Sequence, residues 1–280
     1  MQFKLKYSID KQYLTKGTKR RSGNKINNVK FIVAHDTGNK NSTAQNNVTY
    51  YQRSNNEMSA SAHIFVDDKN IIECIPALTD TPEKAWHVLY NVTTDNKMFG
   101  ADANDVAIGV EYCYGSNIDS NEAYKRYVWT LAYICYKFNL DPAKAIVGHH
   151  ILDPNRKTDP VSGLRDSGRT YAQLLKDVVA EYKDCTSDYT KVTVVVNGKQ
   201  LPVQGFLINN RTHVPLRAIG EAIGAKIDWN PTTQDASING QVVDGFVISG
   251  TTYVPLHVLG NTIGATVTWN QKTYTATFNT

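Results

Sequence analysis

Short apolar runs alternate with amphipathic stretches through the first two thirds of the chain. The amphipathic stretches 122–138 and 171–182 repeat apolar residues every three to four positions and predict helices, and a weaker helix is predicted from Ala44, behind a capping box of Ser42 and Gln45. The apolar runs predict strands at 29–34, 61–66, 71–75, 107–112 and 145–147. This alternation predicts a central mixed β-sheet flanked by helices, of α/β (α+β) class.

The last third of the chain repeats itself with a period of 40 residues. Residues 205–208 recur as 245–248, and residues 214–216 recur as 254–256. Each repeat has the pattern strand, turn, strand, helix, strand, turn, strand. We therefore predict a first domain of residues 1–184, a linker of residues 185–190, and a smaller α+β domain of two tandem repeats in residues 191–280.

Composition and charge narrow the function classes. The net charge of +4 is too small to indicate nucleic-acid binding, although it suits an anionic polymer such as a bacterial wall. No stretch reaches membrane-spanning length, so no membrane insertion is expected. The first residues lack the apolar segment of an export signal, and we expect synthesis in the cytoplasm without a signal peptide. The basic, Gly- and Asn-rich segment 11–28 is expected on the surface.

The four cysteines are widely scattered, with no paired spacing. This pattern favours free, buried thiols over disulfides or a cysteine metal site. The cysteines are Cys74, Cys113, Cys135 and Cys185.

Residues 147–160 carry the clearest candidate chemistry. A strand delivers His149, and a loop with Pro154 leads to Lys157 and Asp159. Imidazole and carboxylate groups are ligands that zinc accepts. The best candidate for a third ligand is His35, at the end of the strand predicted at 29–34. Three protein ligands would leave a fourth position for water, as in a hydrolase.

A second candidate group lies on the strand predicted at 107–112. Ala107, Gly109 and Glu111 share one face, and two small residues followed by a carboxylate suggest space for a ligand. Simpler interpretations remain open at this point: Glu111 as a structural carboxylate, and Lys157 as a solvated loop lysine. His150 also competes with its neighbour as a ligand.

With these residues in place, residues 20–182 resemble the zinc-dependent N-acetylmuramoyl-L-alanine amidases of type 2. That family includes phage endolysins, bacterial autolysins and recycling amidases, and shares its fold with peptidoglycan recognition proteins. The matching motifs lie at 32–38, 61–66, 85–87, 107–111, 148–149 and 156–160. The resemblance implies one catalytic zinc ion on His35, His149 and Asp159, with Glu111 as general base and Lys157 stabilising the oxyanion. The family spacing of ten positions to Asp159 selects His149 over His150.

The chain departs from many relatives at two places. Ala62 stands where many phage and animal members have a tyrosine, and the third ligand is Asp159 rather than cysteine, as in the recycling branch. We expect His63, Trp86 and His87 to line the substrate groove or support the ligands, although a satisfied core group is equally open for the two histidines and a packing role is open for Trp86.

Residues 191–280 resemble tandem copies of the copper amine oxidase N-terminal-like domain of bacterial surface proteins. No histidine recurs between the copies, since His213 aligns with Tyr253 and His257 with Arg217, so copper is not implied. These residues are expected to bind an anionic wall component.

The resemblances imply a monomeric peptidoglycan hydrolase that cleaves the amide between N-acetylmuramic acid and L-alanine. A phage or prophage endolysin, which acts on the wall after release, is the favoured role. A host autolysin and a non-catalytic peptidoglycan-binding protein on the same fold are the alternatives.

Overall fold

The computed structural model describes residues 3–187, 189–208, 210–230, 233, 235–248 and 250–280. The chain forms two compact units, residues 1–187 and residues 188–280. The final helix of the first unit continues to Thr186, through the first residues of the predicted linker.

The first unit combines one sheet with helices on its faces. Its strands are β1 (Asp10–Lys11), β2 (Phe31–Asp36), β3 (Ile64–Val66), β4 (Ile71–Glu73), β5 (Ala107–Tyr112) and β6 (Ile146–Gly148). Its helices are α1 (Ala44–Arg53), α2 (Thr94–Phe99), α3 (Ala103–Val106), α4 (Ser120–Lys137), α5 (His149–Leu152), α6 (Val161–Asp166) and α7 (Tyr171–Thr186).

The order of strands places β2 near the middle of the sheet. The order is β1-β4-β3-β5-β2-β6, and β2 runs parallel to both β5 and β6. The β3–β4 pair is antiparallel, so the sheet is mixed, and the predicted fold class is confirmed. Every residue of β2 is buried, as expected for a parallel strand covered on both faces. The carboxyl ends of β2, β5 and β6 therefore meet at one edge of the sheet.

Helix α4 forms the centre of the main core. Its residues Tyr127, Trp129 and Leu131 are buried, and the helix packs against α7 and against the sheet. The Trp129 indole Nε1–H donates to the Lys4 carbonyl, 3.1 Å away, and so ties the N-terminal segment to this core. The four cysteines are free and buried, as predicted.

Most of the basic segment 11–28 lies at the surface, as predicted, but the prediction is wrong for a few buried residues. Leu14 and Arg20 are each about 1% exposed. The Arg20 guanidinium donates to the Ser54 hydroxyl at 2.8 Å and to the Ala60 carbonyl, and it lies over the Tyr51 ring at 4.4 Å. Because the planar guanidinium finds acceptors and an aromatic face, its burial is compensated.

The second unit contains the two repeats. Its strands are β7 (Thr190–Val196), β8 (Lys199–Gln200), β9 (Gly205–Ile208), β10 (Arg211–Pro215), β11 (Ile227–Asn230), β12 (Asp235–Ile238), β13 (Gln241–Val243), β14 (Phe246–Ile248), β15 (Thr251–Pro255), β16 (Thr266–Asn270) and β17 (Thr275–Asn279). Its helices are α8 (Leu216–Ile223) and α9 (Leu256–Ile263), and both end at a left-handed glycine, Gly224 and Gly264.

Strand pairing joins the two repeats. The first strand, β7, pairs in parallel with the last strand, β17, inside a sheet of order β14-β15-β10-β9-β7-β17-β16, with β8 paired to β7. Strands β11, β12 and β13 form a second sheet. Across the part of the chain that the structure describes, no helix is long and apolar enough to cross a membrane.

Candidate metal centre

Three neighbouring parallel strands bring the predicted ligands together. His35 on β2 lies in register with Glu111 on β5, and Ala34 lies in register with Gly148, the last residue of β6. His149 follows that glycine at once, as the first residue of α5. The site therefore lies at the carboxyl ends of the strands, where open α/β sheets bind their ligands.

A single carboxylate oxygen connects the two histidines. Oδ2 of Asp159 lies 2.9 Å from Nδ1 of His35 and 3.1 Å from Nδ1 of His149. The two imidazole rings are close to perpendicular, at 81°, so their nitrogens converge without stacking. All three side chains are buried or nearly so. The structure thus brings together the three ligands predicted from the sequence, although the ligand role itself stays a prediction.

The charges of this group are set by burial and by its own contacts. Burial lowers the pKa of His35 to about 4, although the contact with Asp159 opposes the shift. Burial also opposes ionisation of Asp159, but hydrogen bonds to His149 and His35 outweigh it and hold the pKa of this carboxyl well below its usual range. Neutral imidazoles beside an ionised carboxylate are the protonation states in which these side chains bind a metal.

Glu111 lies partly exposed in the same cleft, with its Oε2 atom buried. Burial raises the pKa of this carboxyl well above its usual value, the charges of Asp159 and Asp36 raise it further, and Lys157 lowers it. A bound cation would act in the same direction as Lys157. Glu111 is therefore placed where it could exchange a proton with a ligand in the cleft.

Unsatisfied polar atoms also point to this site. Among the described residues, three buried side-chain nitrogen or oxygen atoms have no hydrogen-bond partner: Nε2 of His87, Oε2 of Glu111 and Nε2 of His149. Buried polar groups in folded proteins are nearly always paired. Because all three exceptions line one cleft, the cleft is built for a ligand rather than for the stability of the fold.

A cleft of about 360 Å³ surrounds this group. Trp86, His87, Tyr51 and Lys157 line it, together with the ligands and Glu111. The backbone N–H of Lys157 donates to the Asp153 carbonyl at 2.9 Å, which fixes the loop that leads to Asp159. Most of the lining side chains carry polar groups, which suits a polar substrate.

Two other histidines near the site do not belong to the three-residue group. The His150 ring meets Tyr171 edge-on at 4.9 Å, and its Nδ1 lies 3.3 Å from the backbone carbonyl of Asp159 rather than from the carboxylate. His63 is fully buried, with Nδ1 accepting from the Gly109 N–H at 3.0 Å and Nε2 lying 2.8 Å from the Glu83 carbonyl. Neither lines the cleft, so the structure places His63 as a satisfied core histidine.

His87 is a different case, because it lines the cleft and touches a candidate ligand. Its Nδ1 lies 3.1 Å from Nε2 of His35. Burial lowers the pKa of His87 well below its usual value, with the neighbouring His35 and His63 adding to the shift. The Ala107 carbonyl opposes this shift and raises the pKa of His87 slightly. The Nε2 atom of His87 nevertheless has no hydrogen-bond partner.

Sequence reasoning missed Asp36, the residue after the first ligand. Its buried carboxylate accepts from the Gly38 N–H at 2.9 Å, and from the Ser162 hydroxyl and the Gly163 N–H, both at 2.7 Å. Ser162 and Gly163 follow Asp159 closely, so Asp36 ties the end of β2 to the loop that carries the third ligand. The sequence signal that could have identified Asp36 is its position directly after a histidine at the end of a strand.

The donor set fits a metal ion of borderline hardness. Nδ1 of His35, Nδ1 of His149 and an oxygen of Asp159 lie within 4.8 Å of one another. Ligand atoms about 2.0–2.1 Å from a tetrahedral ion are separated by roughly 3.4 Å, close to the spacings seen here. Two imidazoles and one carboxylate form the open, three-ligand set of catalytic zinc sites.

Comparisons with known proteins agree with this geometry. Residues 25–162 match the sequence family described as N-acetylmuramoyl-L-alanine amidase, and residues 195–243 and 237–280 match the copper amine oxidase N-terminal domain. Both resemblances drawn from the motifs are confirmed.

Two curated relatives come from Bacillus subtilis (strain 168). The N-acetylmuramoyl-L-alanine amidase BlyA is 33% identical over 153 residues, which cover 52% of this chain and 40% of BlyA. The N-acetylmuramoyl-L-alanine amidase CwlA is 37% identical over 87 residues, which cover 31% of this chain and 27% of CwlA. The chain thus spans less than half the length of either relative.

Solved structures show the same fold. The catalytic domain of XlyA aligns with a TM-score of 0.50 at 22% identity, over 61% of this chain and 99% of that domain. The Staphylococcus aureus hydrolase AmiA, solved in complex with its ligand, aligns with a TM-score of 0.51 at 24% identity, over 63% of this chain and 84% of its own.

Proposed function

Residues 25–162 match the N-acetylmuramoyl-L-alanine amidase family, and from this match we propose that the chain hydrolyses peptidoglycan. The bond cleaved would be the amide between the lactyl group of N-acetylmuramic acid and the L-alanine of the stem peptide. The observation that supports a catalytic rather than a binding role is the intact group of His35, His149 and Asp159, with Glu111 and Lys157 in the same cleft.

We propose that His35, His149 and Asp159 hold one zinc ion. Zinc would supply a Lewis acid that polarises the scissile carbonyl and acidifies the attacking water. The protein's own task is to favour the protonation states that bind a metal. Burial lowers the pKa of His35 and so favours its neutral form, and hydrogen bonds to the two histidines lower the pKa of Asp159 and so favour the ionised carboxylate.

Glu111 is the proposed general base and acid. Its carboxylate would take a proton from the attacking water and deliver it to the amide nitrogen as the C–N bond breaks. The products are the lactyl carboxylate and the free amine of L-alanine, so the water supplies both the oxygen and the hydrogen that the products gain. Burial raises the pKa of Glu111, which favours its acid form, while Lys157 lowers it; a group that both accepts and donates a proton needs a pKa raised toward the working pH.

Lys157 is proposed to stabilise the oxyanion that develops on the scissile carbonyl. It lines the same cleft two residues before Asp159, and its loop is fixed by the bond from its own N–H to the Asp153 carbonyl. An ammonium held in place before the reaction stabilises a developing charge without rearranging. Trp86, beside the ligands, offers an aromatic surface for a sugar ring.

The second unit is proposed to anchor the enzyme to the wall. One face of its larger sheet carries four rings, since Phe206 pairs with His213 and Phe246 with Tyr253. The rings are in contact, at 5.0 Å for Phe206–Tyr253 and 5.0 Å for His213–Phe246. Phe206 and Phe246 are partly exposed, whereas His213 and Tyr253 are buried beside them. Partly exposed aromatic rings of this kind suit a polysaccharide. Anchoring would raise the concentration of the first unit at an insoluble substrate.

The activity is tested with purified full-length protein and a soluble muropeptide. Mass spectrometry should find free N-terminal alanine and an intact lactyl ether, and elemental analysis should find one zinc per chain. His149→Ala should lose zinc and activity together, because two ligands do not hold an ion in an open site. His150→Ala is the matched control and should keep both. Cleavage at another bond, or full zinc in His149→Ala, would refute the assignment.

The anchoring role is tested by comparing the full chain with residues 1–187. Both should cleave a soluble muropeptide at similar rates, whereas the shorter protein should be slower on intact walls. Equal rates on walls, with no sedimentation of residues 188–280 alone, would exclude an anchor.

A separate experiment distinguishes an endolysin role from that of a host autolysin. Protein made inside a susceptible bacterium should leave the cells intact until the membrane is permeabilised. Wall cleavage during growth, without any membrane lesion, would favour an autolysin.

A further inference from the structure

The two nitrogens of His35 face different partners. Nδ1 points to the oxygen of Asp159, 2.9 Å away, and Nε2 points to Nδ1 of His87, 3.1 Å away. The His35 and His87 rings are nearly perpendicular, at 89°. His87 therefore contacts the ligand on the side away from the proposed ion.

When a metal is bound, the positions of the protons on the two rings decide which nitrogen donates the hydrogen bond in this contact. A neutral imidazole carries one proton, and a nitrogen that binds a metal carries none. With Nδ1 of His35 on the ion, the proton of His35 must be on Nε2. Only one atom of an N–N contact can donate, so Nδ1 of His87 must then accept, and the proton of His87 must be on Nε2.

The backbone around His87 is held on several sides. The N–H groups of His87 and Val88 both donate to the Asn104 side-chain oxygen, at 2.8 and 3.0 Å. The Asn104 amide nitrogen donates back to the Val88 carbonyl at 2.6 Å. The Ser61 N–H donates to the Trp86 carbonyl at 3.0 Å. These bonds fix the segment 86–88 although it belongs to no helix or strand.

The ring itself packs closely against Gly109. A Cβ atom at this position would lie 2.8 Å from Cγ and 2.9 Å from Nδ1 of His87, closer than real side chains pack. The glycine on β5 thus leaves room for the ring, and the contact leaves the ring little room to move. Its accepting nitrogen is fixed on the same edge that faces His35.

We propose that His87 is a positioning residue for the metal, which accepts the Nε2–H of His35 and so fixes the tautomer in which Nδ1 binds the ion. The proposal rests on the zinc site of the proposed function. Partners of this kind orient metal-bound histidines, and their loss typically weakens metal binding about 10–100-fold. Asn104 and Gly109 would act through His87, and neither needs to touch the ion.

The zinc dissociation constant, measured by competition with a chelator, tests the proposal. His87→Leu removes the acceptor at similar volume and should weaken zinc binding about 10–100-fold. His87→Asn keeps an acceptor near the position of Nδ1 and should restore most of the affinity. His150→Leu makes the same chemical change on a histidine whose ring contacts Tyr171 and the Asp159 backbone carbonyl but no side-chain atom of the three ligands, and it should bind zinc like the wild type. Unfolding of the metal-free variants separates lost folding from lost positioning.

A second variant and a measurement on the wild type keep the test independent of how well His87→Leu folds. Gly109→Ala pushes the ring aside and should weaken zinc binding in the same range. In the zinc-loaded wild type, ¹H–¹⁵N spectra of the imidazoles should show a proton on Nε2 of His35 that exchanges slowly. A folded His87→Leu with wild-type affinity, or a His35 proton that exchanges at the rate of an exposed ring, would overturn the proposal and leave the function standing. A wild type that binds no zinc would overturn both.

Discussion

The Glu111→Gln variant separates the chemistry of the site from its metal. Glutamine has nearly the shape of glutamate but cannot accept the proton of a water molecule. Glu111 is not one of the three converging ligands, and its Oε2 atom has no hydrogen-bond partner. The change therefore removes no contact that holds the fold or the ion. We expect zinc content to stay at the wild-type level.

The expected loss of rate follows from the role of the carboxylate. Proton transfer by a positioned group contributes about 10²–10⁴-fold, or about 2.7–5.4 kcal/mol of barrier at 1.36 kcal/mol per tenfold. The turnover number on a soluble muropeptide should fall within this range, and the Michaelis constant should change little. Turnover within about threefold of wild type, in a variant with full zinc, would refute the general-base role.

Glu111→Gln lowers the turnover number but should raise the folding stability of the metal-free protein. Burial raises the pKa of Glu111 in the folded chain, so the folded state binds more protons than the unfolded state between the two pKa values. The stability of the metal-free protein should therefore fall as pH rises through that interval, by about 1.4 kcal/mol for each pH unit that separates the folded and unfolded pKa values. The Glu111→Gln variant has no carboxyl group to titrate at this position, so above that pH interval it should be more stable than the wild type. Urea unfolding of both proteins without metal at pH 5 and pH 8 measures the difference, and equal pH dependence would contradict the argument.

Three other substitutions test separate parts of the molecule. Lys157→Met should keep zinc and lose about 10²–10³-fold in turnover, as expected for one oxyanion donor; unchanged turnover would return this residue to the solvated-lysine interpretation. Asp36→Ala removes three hydrogen bonds, two of which hold the loop after Asp159, so urea unfolding should show a loss of about 2–4 kcal/mol together with weaker zinc binding. Gly205→Ala places a Cβ atom 2.6 Å from the His213 carbonyl and should destabilise the second unit by about 1–3 kcal/mol, without any change in zinc binding by the first.

Features that depend on local patterns could be predicted from the sequence. The repeat could be read directly, because each copy carries its own strands, helix and terminal glycine. The cap of α7 was also predictable, since Thr170 precedes the apolar pattern and accepts from the Gln173 N–H at 3.1 Å. Helix α1 shows the limit of this reasoning: Thr43 caps it, one residue after the predicted Ser42, because two adjacent hydroxyl residues compete for the cap.

Features that depend on distant contacts could not be predicted in this way. The burial of Arg20 requires Ser54, Ala60 and Tyr51, and no local pattern shows that these acceptors and the ring are present. The contact between His87 and His35 joins an irregular segment to a strand 52 residues away. Motifs identified both residues as candidates for the site. Their relation to each other became visible only with the fold.

The register of the sheet decides whether His35, Glu111 and His149 meet in one cleft. His35 and Glu111 are directly opposite each other on β2 and β5, and β6 on the other side of β2 ends one residue before His149. Successive side chains on a strand point to opposite faces, so a slip of one residue between β2 and β5 would turn one of the pair away from the cleft. Every residue of β2 is buried, and such a slip would also move its apolar side chains between two differently packed faces. The hydrophobic core therefore fixes the register, and the register in turn places the imidazole beside the carboxylate. Asp159 is the exception, because it lies on a loop, and Asp36 at the end of β2 ties that loop back to the sheet through Ser162 and Gly163.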